Sequence, residues 1–255
     1  MSDLVSIIMP SFNTANYIVD SIKSVLGQTY TFWELIIVDD CSSDNTENVI
    51  KPFLVDKRIR FYKNDTNQGA AFCRNKALVE SKGKWIAFLD SDDLWSNKKL
   101  EKQLLFMQTN NYSFSYTNYR EIDSNGTPTN ILVTGPKKIT RAGFFNYCWP
   151  GCLTVMYDSS SIGLIQIENI KKNNDYAMWL KVCKKSDCYL LNEELGFYRK
   201  GRVGSISNSG LARLIKSHYI MFRVSEKQNP CVAFFNTCRN ILFGFYKKIK
   251  YVKKN

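Results

Sequence analysis

Four apolar, strand-like runs recur in the first hundred residues, and a helical pattern follows each one. Residues 4–9 precede 17–26, where Ile18, Ile22, Val25 and Leu26 share a helical face. Residues 35–38 lead to a helix over 45–53, with Ser43 ahead of it as a cap. Residues 59–62 lead to 69–81, and residues 85–89 to 97–108. Strands that alternate with helices and are apolar throughout require a parallel sheet covered on both faces. In such a sheet, ligands bind outside the carboxyl ends of the strands.

Two of those ends are acidic. Asp39-Asp40 close the second run, and Asp90, Asp92 and Asp93 close the fourth. Carboxylates gathered at one sheet edge repel one another unless a cation or donors sit among them. An oxygen-only set without histidine suits Mg²⁺ or Mn²⁺ rather than zinc. Such an ion takes its remaining ligands from substrate phosphates and water, which points to a nucleotide diphosphate. Taken singly, Asp40 or Asp93 reads equally well as an acidic turn or helix cap.

Other chemistries are excluded by what is missing. There is no GxxxxGK[ST] loop and no GxGxxG after a strand, so neither a P-loop nor a dinucleotide site is present. His218 is the single histidine, it lies near the C-terminus, and no GxSxG elbow accompanies it. The eight cysteines contain no CxxC pair and several lie in apolar runs, so they read as core filler. With no export-like start, free thiols fit a reducing, cytoplasmic setting.

Beyond residue 110 the alternation stops. Residues 114–122 and 153–157 read as strands with a Gly/Pro-rich stretch between them, 175–185 as a helix, and 189–191 and 197–199 as short strands. Charge then divides the chain. Residues 1–210 hold 25 basic and 22 acidic side chains, a net of +3. Residues 211–255 hold ten basic side chains and one acidic, Glu226, a net of +9. In that tail Cys231, Phe234, Phe235, Cys238, Leu242 and Phe245 form one helical face ahead of a lysine-rich end. It is too short and interrupted to span a bilayer. It fits an anionic membrane surface, or a helix packed on the body with a solvated end. No nucleic-acid recognition module matches.

Several blocks, in order, carry a family resemblance. Val5-Ser6-Ile7-Ile8-Met9-Pro10-Ser11-Phe12-Asn13 resembles the opening strand of glycosyltransferase family 2. Ser24-Val25-Leu26-Gly27-Gln28-Thr29 and Glu34-Leu35-Ile36-Ile37-Val38-Asp39-Asp40 resemble its next two blocks. Asn67-Gln68-Gly69 through Arg74-Asn75 is similar to its N-x-G-x-x-x-A-R-N segment, with Cys73 in the usual Ala place. Phe88-Leu89-Asp90-Ser91-Asp92-Asp93 looks like its metal motif. The resemblance implies an α/β GT-A fold, with a mostly parallel nucleotide-binding sheet over 1–110, an irregular acceptor half over 111–210 and a helical basic extension over 211–255. It implies transfer of a sugar from a nucleotide-diphosphate sugar, UDP favoured, to a glycan or lipid-linked glycan acceptor in bacterial surface polysaccharide synthesis. A peripheral position on the inner face of the cytoplasmic membrane follows as an expectation.

Carried over to this chain, the resemblance puts Pro10, Ser11, Asn13, Asp39, Asn67, Gly69, Arg74, Asp90 and Ser91 around the nucleotide sugar. Asp92 is the metal ligand for Mn²⁺ or Mg²⁺, with Asp40 and Asp93 in support. Asn173 to Leu180 looks like the family's E-D-x-x-x-W-L segment, so Asp175 is the candidate base. The usual Glu before it is Asn174 here, and Asp175 also fits a plain helix cap. Residues 196–207 resemble the family's following loop, where Arg199, Lys200 and Arg202 are either placed to neutralise the leaving diphosphate or part of a solvated basic loop. Trp149 is either an acceptor-stacking ring or a core tryptophan. Two other readings stay open: a sugar nucleotidyltransferase, and a non-catalytic carbohydrate- or membrane-binding protein.

Overall fold

The computed structural model describes residues 3–201 and 210–254. Its first half follows the alternation: β1 (Val5–Ser11), α1 (Ile18–Leu26), β2 (Trp33–Asp39), α2 (Thr46–Ile50), β3 (Ile59–Lys63), α3 (Ala70–Glu80) and β4 (Trp85–Phe88). β5 (Leu94–Trp95), α4 (Lys99–Asn110), β6 (Phe114–Ile122), β7 (Pro128–Val133), β8 (Lys138–Ile139) and α5 (Arg141–Asn146) come next. β9 (Met156–Asp158), α6 (Ser159–Ile162), α7 (Asn174–Val182) and β10 (Cys188–Arg199) complete the body. The tail forms α8 (Leu211–Val224), α9 (Pro230–Lys250) and β11 (Val252–Lys254).

Among the described residues the strands make one 11-stranded sheet whose main path runs β11-β7-β6-β9-β4-β1-β2-β3. Neighbours from β4 to β3 are parallel, whereas β4–β9, β9–β6, β6–β7 and β7–β11 are antiparallel. The sheet is therefore mixed, and its parallel portion lies within residues 1–110. Successive side chains of a strand point to opposite faces, and here both faces are buried. Ile8, Ile36, Val38, Ile86 and Phe88 pack on one side with α3 and α7. Val5, Ile7, Met9, Leu35, Ile37 and Ala87 pack on the other with α1 and α4.

Local chemistry shifts some boundaries. The helix expected over 45–53 ends at Ile50 and continues as a 3₁₀ turn carrying Pro52, whose ring cannot extend an α-helix. The strand expected over 153–157 begins only at Met156. The Leu153 carbonyl accepts from Trp95 Nε1 (2.7 Å) and that of Thr154 from Gln103 Nε2 (3.0 Å), so neither joins a ladder. The two short strands expected near 190 and 198 are one strand, β10, with register shifts around Glu194.

Gly83 enters β4 against β1. A Cβ there would lie 2.6 Å from Ser6 N and 2.7 Å from Leu4 O, both backbone atoms. Gly83→Ala must push β1 and β4, central and parallel, away from each other. We expect it to lower stability by about 3 kcal/mol in a urea titration, the upper range for overpacking.

Candidate functional site

The edge at the ends of β1 and β2 is built by chain reversals. Ser11 pairs with Asp39 across the parallel ladder, so both strands end level. Asn13 (φ 50) and Cys41 (φ 62) turn the chain back in the left-handed region. Asp39 is fully buried and accepts from Ser42 N (2.9 Å) and Ser42 Oγ (2.5 Å). Asn13 Oδ1 accepts from Ser43 N at 2.9 Å. Pro10, Ser11, Asn13 and Asp39 thus form one rim. Asp40 turns away from it. Its carboxylate accepts from Asn64 Nδ2 (3.0 Å), Gln68 N (2.8 Å) and Gly69 N (2.7 Å). Those bonds pin the Asn67–Gly69 loop, where Gly69 has φ +90, at the start of α3.

β4 supplies the second acidic end. Arg74, from α3, is buried and reaches both Asp90 and Asn174. Burial opposes its charge, but the Asp90 and Asp175 carboxylates hold the guanidinium firmly protonated. Arg74 therefore ties the end of β4 to the first turn of α7, and Asn174, in the usual Glu place, serves as its acceptor. Asp93 is also buried. Desolvation first, then the negative charges of Asp92 and Asp90, push its carboxyl well above the usual range. Its Oδ1 accepts from Arg199 N at 2.8 Å, while Oδ2 has no partner among the described residues.

A cavity of about 270 Å³ opens between these elements, with Asp90 and Asp93 on one side and Asp175 on another. Asp175 is the second residue of α7, and the N-cap is Asn173 at φ 58, so Asp175 is not the cap. Tyr119, Tyr198 and the Gly151–Leu153 segment close the lining. None of these stands among the sequence-derived site residues, although Tyr198 adjoins the Arg199 position. They meet because β6 and β10 pair in parallel, with Gly196 opposite Tyr119. The one available signal is glycine: a Cβ on Gly151 would lie 3.1 Å from the Tyr119 ring.

Two expectations need correction. Arg199 is no loop cation: it is buried, with Nε donating to Asp92 O (2.8 Å) and Nη1 to Ser124 O (2.9 Å). It fastens β10 to the acidic turn instead of awaiting a diphosphate. Lys200 pairs with Glu121 at 2.6 Å, and Arg202 lies outside the described residues. Trp149 is 4% exposed, donates to Gly143 O (2.9 Å) and is edged by Tyr147, Phe243, Tyr246 and Tyr251. Those rings leave it no free face, so it is a core tryptophan and not a sugar platform.

The tail is built into the same body. α9 buries Ala233, Asn236, Thr237 and Asn240 against it, and β11 extends the sheet beside β7. Asn240 Nδ2 donates to Tyr176 Oη (2.7 Å), which donates to Phe144 O (2.5 Å). His218 is buried against Tyr176, and burial lowers its pKa. Lys247 Nζ donates to Trp149 O at 2.7 Å.

Burial brings the Lys247 ammonium down to about 8 from its ordinary 10.5, against the pull of Asp175. The unfolded chain therefore binds more protons between those two values, and this group makes stability rise with pH across that window. Relative to Lys247→Met, the wild type should gain at most about 2 kcal/mol from pH 7.5 to 10. Parallel melting curves over that range check the slope, and a constant difference would refute it.

The carboxylates fit a divalent cation of the Mg²⁺ or Mn²⁺ type. Their donors are all oxygen, and Asp90 and Asp92 sit half-buried on the rim. Among the described residues no three His, Cys, Asp or Glu side chains converge on one point. An ion here would have one or two protein ligands and take the rest from diphosphate and water.

Known proteins resemble this chain over nearly its whole length. The model of "Glycosyl transferase family 2" matches residues 6–152. The "Putative teichuronic acid biosynthesis glycosyltransferase TuaG" of Bacillus subtilis is 41% identical over 88% of this chain and 89% of its own. The "UDP-Glc:alpha-D-GlcNAc-diphosphoundecaprenol beta-1,3-glucosyltransferase WfgD" of Escherichia coli is 39% identical over 96% and 94%. Among solved structures, S. aureus TarS 1-349 in complex with UDP-GlcNAc superposes with a TM-score of 0.72 at 18% identity, covering 98% of this chain and 76% of that one. The fold is thus that of the GT-A glycosyltransferases. By sequence and by the order of its site blocks, the chain belongs to glycosyltransferase family 2.

Proposed function

We propose that this glycosyltransferase transfers a sugar with inversion from a UDP-sugar to a lipid-linked glycan, with a divalent cation on the donor diphosphate. The observation that carries the reading is the shared cavity in which Asp175 faces the acidic end of β4 across Arg74. The 39% identical relative acts, by its name, on GlcNAc-diphosphoundecaprenol, which supports an acceptor of that class.

In this reading residues 1–110 hold the donor, with Pro10, Ser11, Asn13 and Asp39 around the base and ribose. Asn67, Gly69, Arg74, Asp90 and Ser91 complete its surroundings. Asp92 is the protein ligand for Mn²⁺ or Mg²⁺. A bound ion supplies charge neutralisation of the diphosphate. Residues 111–210 present the acceptor. The acceptor hydroxyl oxygen forms its bond to the anomeric carbon on the face opposite the diphosphate. The C–O bond to the diphosphate breaks, its electron pair leaves with that group, and the hydroxyl proton passes to an Asp175 carboxylate oxygen. Arg74 positions both ends by holding Asp90 and Asn174 in fixed relation.

The enzyme works at the inner face of the cytoplasmic membrane, where residues 211–255 meet an anionic surface. Among the described residues no helix is long and apolar enough to cross a membrane. A panel of UDP-, GDP- and dTDP-sugars with Mn²⁺ and a GlcNAc-diphospho-lipid acceptor, read by mass spectrometry, tests the reading. A product heavier by one hexose or N-acetylhexosamine, formed from a UDP-sugar, is expected. Product formed only with other nucleotides, or none from any donor, would overturn it.

A further inference from the structure

α9 is amphipathic the wrong way round for a helix packed on a soluble body. Its inward stripe is mostly small and polar: Ala233, Asn236, Thr237 and Asn240 are buried, and Phe243 packs beyond them beside Trp149. Gly244 continues that stripe, since a Cβ there would meet the Tyr147 ring at 3.1 Å. Its outward ridge is apolar: Phe234 is 62% exposed, Phe235 63%, Leu242 68%, Phe245 57% and Ile249 85%. A surface helix ordinarily does the reverse. A contiguous exposed apolar ridge marks an interaction surface rather than scattered surface residues.

The charges around the ridge identify what covers it. At helical spacing Lys248 falls on one flank of the ridge and Arg239 and Lys250 on the other, while Lys253 and Lys254 follow on β11. Lys248, Lys250, Lys253 and Lys254 are exposed. An apolar strip bordered by ammonium groups on both sides matches the acyl boundary and headgroups of an anionic leaflet. A second copy of the chain would set the same cations against each other. α9 is 21 residues long, but Asn236, Arg239, Asn240 and the lysines at its end leave it too polar to cross a membrane. The helix is also held in place: Val252 pairs with Val133, and Thr134 N donates to Tyr251 O at 2.9 Å.

We propose that α9 beds its aromatic ridge in an anionic bilayer while its polar stripe backs the elements that line the acceptor cavity, fixing the base helix. Through Asn240 and Tyr176 the inner stripe holds α7 beside Asp175, and through Lys247 it holds the Trp149 segment that runs into Gly151. Lipid and cavity wall then lie one helix diameter apart, about 10 Å. That separation suits an acceptor sugar joined to a membrane lipid by a short diphosphate. This inference deepens the membrane aspect of the proposed function, but its test requires no sugar transfer.

Flotation of the full chain with vesicles provides that test. The wild type should float with vesicles of equal parts phosphatidylglycerol and phosphatidylcholine and stay behind with phosphatidylcholine alone. The triple variant Phe234→Ser/Phe235→Ser/Phe245→Ser and the double variant Lys248→Glu/Lys250→Glu should each reduce lipid partitioning about tenfold or more. Both should keep wild-type helical content and UDP affinity, because none of these side chains lines the cavity. A wild type that fails to float, or a serine variant that floats like the wild type, would overturn the proposal. So would a wild-type dimer that the serine variant converts to monomer, since the ridge would then bind a second copy. A wild type that floats but transfers no sugar would count against the proposed reaction and leave the lipid-facing ridge standing.

Discussion

Asp175→Asn should lower kcat about a thousandfold while leaving the Kd for the UDP-sugar within about twofold of wild type. Asparagine keeps the size of the side chain, and α7 does not depend on Asp175 for its cap, since Asn173 occupies that position. The anchoring contact of this turn is made by Asn174 to Arg74, which the substitution leaves alone. What is lost is a group that can take the acceptor proton as the new glycosidic bond forms. Single-turnover transfer by the variant, beside calorimetric titration of UDP, separates the two quantities. A variant with wild-type kcat would remove Asp175 from the role of base. One with weakened UDP binding as well would place it on the donor side.

The regions of this site that the sequence makes legible are those whose residues are neighbours in the chain. An apolar run that stops at Asp39-Asp40 or at Asp90-Ser91-Asp92-Asp93 is both a buried strand and its functional end, so position and chemistry come together. Arg74 is legible as a site residue because its segment opens a helix at the same sheet edge. Its partners are not, because Asn174 reaches it only when α7 folds over α3. Arg199 and Trp149 mislead for the same reason. An arginine in a basic segment looks solvated until the carbonyls of Asp92 and Ser124 surround it. A tryptophan near an acceptor segment looks available until rings from α9 and Tyr251 enclose it. The Tyr119–Tyr198 wall depends on parallel pairing of β6 with β10, and no local pattern encodes that pairing. In the tail, hydrophobic spacing reveals an apolar face but not its direction. The burial of Asn236, Thr237 and Asn240 and the hydrogen bonds of Asn240 and Lys247 show that the polar side is the one turned inward.

Asp92→Asn should abolish the effect of divalent cations on donor binding. For the wild type, adding Mn²⁺ is expected to tighten UDP binding about a hundredfold; for Asp92→Asn the two affinities should be nearly equal. The three carboxyl groups of this turn have different duties. Asp90 is engaged with the buried Arg74 guanidinium, so its removal disturbs α3, β4 and α7 together. Asp93 is buried, and desolvation and its acidic neighbours push its carboxyl up, which disfavours the charged form that a cation needs. Asp92 is half-buried at the rim. The same reasoning predicts opposite behaviour for the other two. Asp93→Asn keeps the shape of a side chain whose charged form burial disfavours and should keep the Mn²⁺ enhancement. Asp90→Asn should weaken UDP binding with and without the ion, because Arg74 loses its counter-charge. Titrations of UDP into the three variants, each with Mn²⁺ and with a chelator, resolve these patterns. Full Mn²⁺ enhancement in Asp92→Asn, or its loss in Asp93→Asn, would reassign the ligand. The test compares ratios within one variant, so a general loss of stability cannot imitate the expected result.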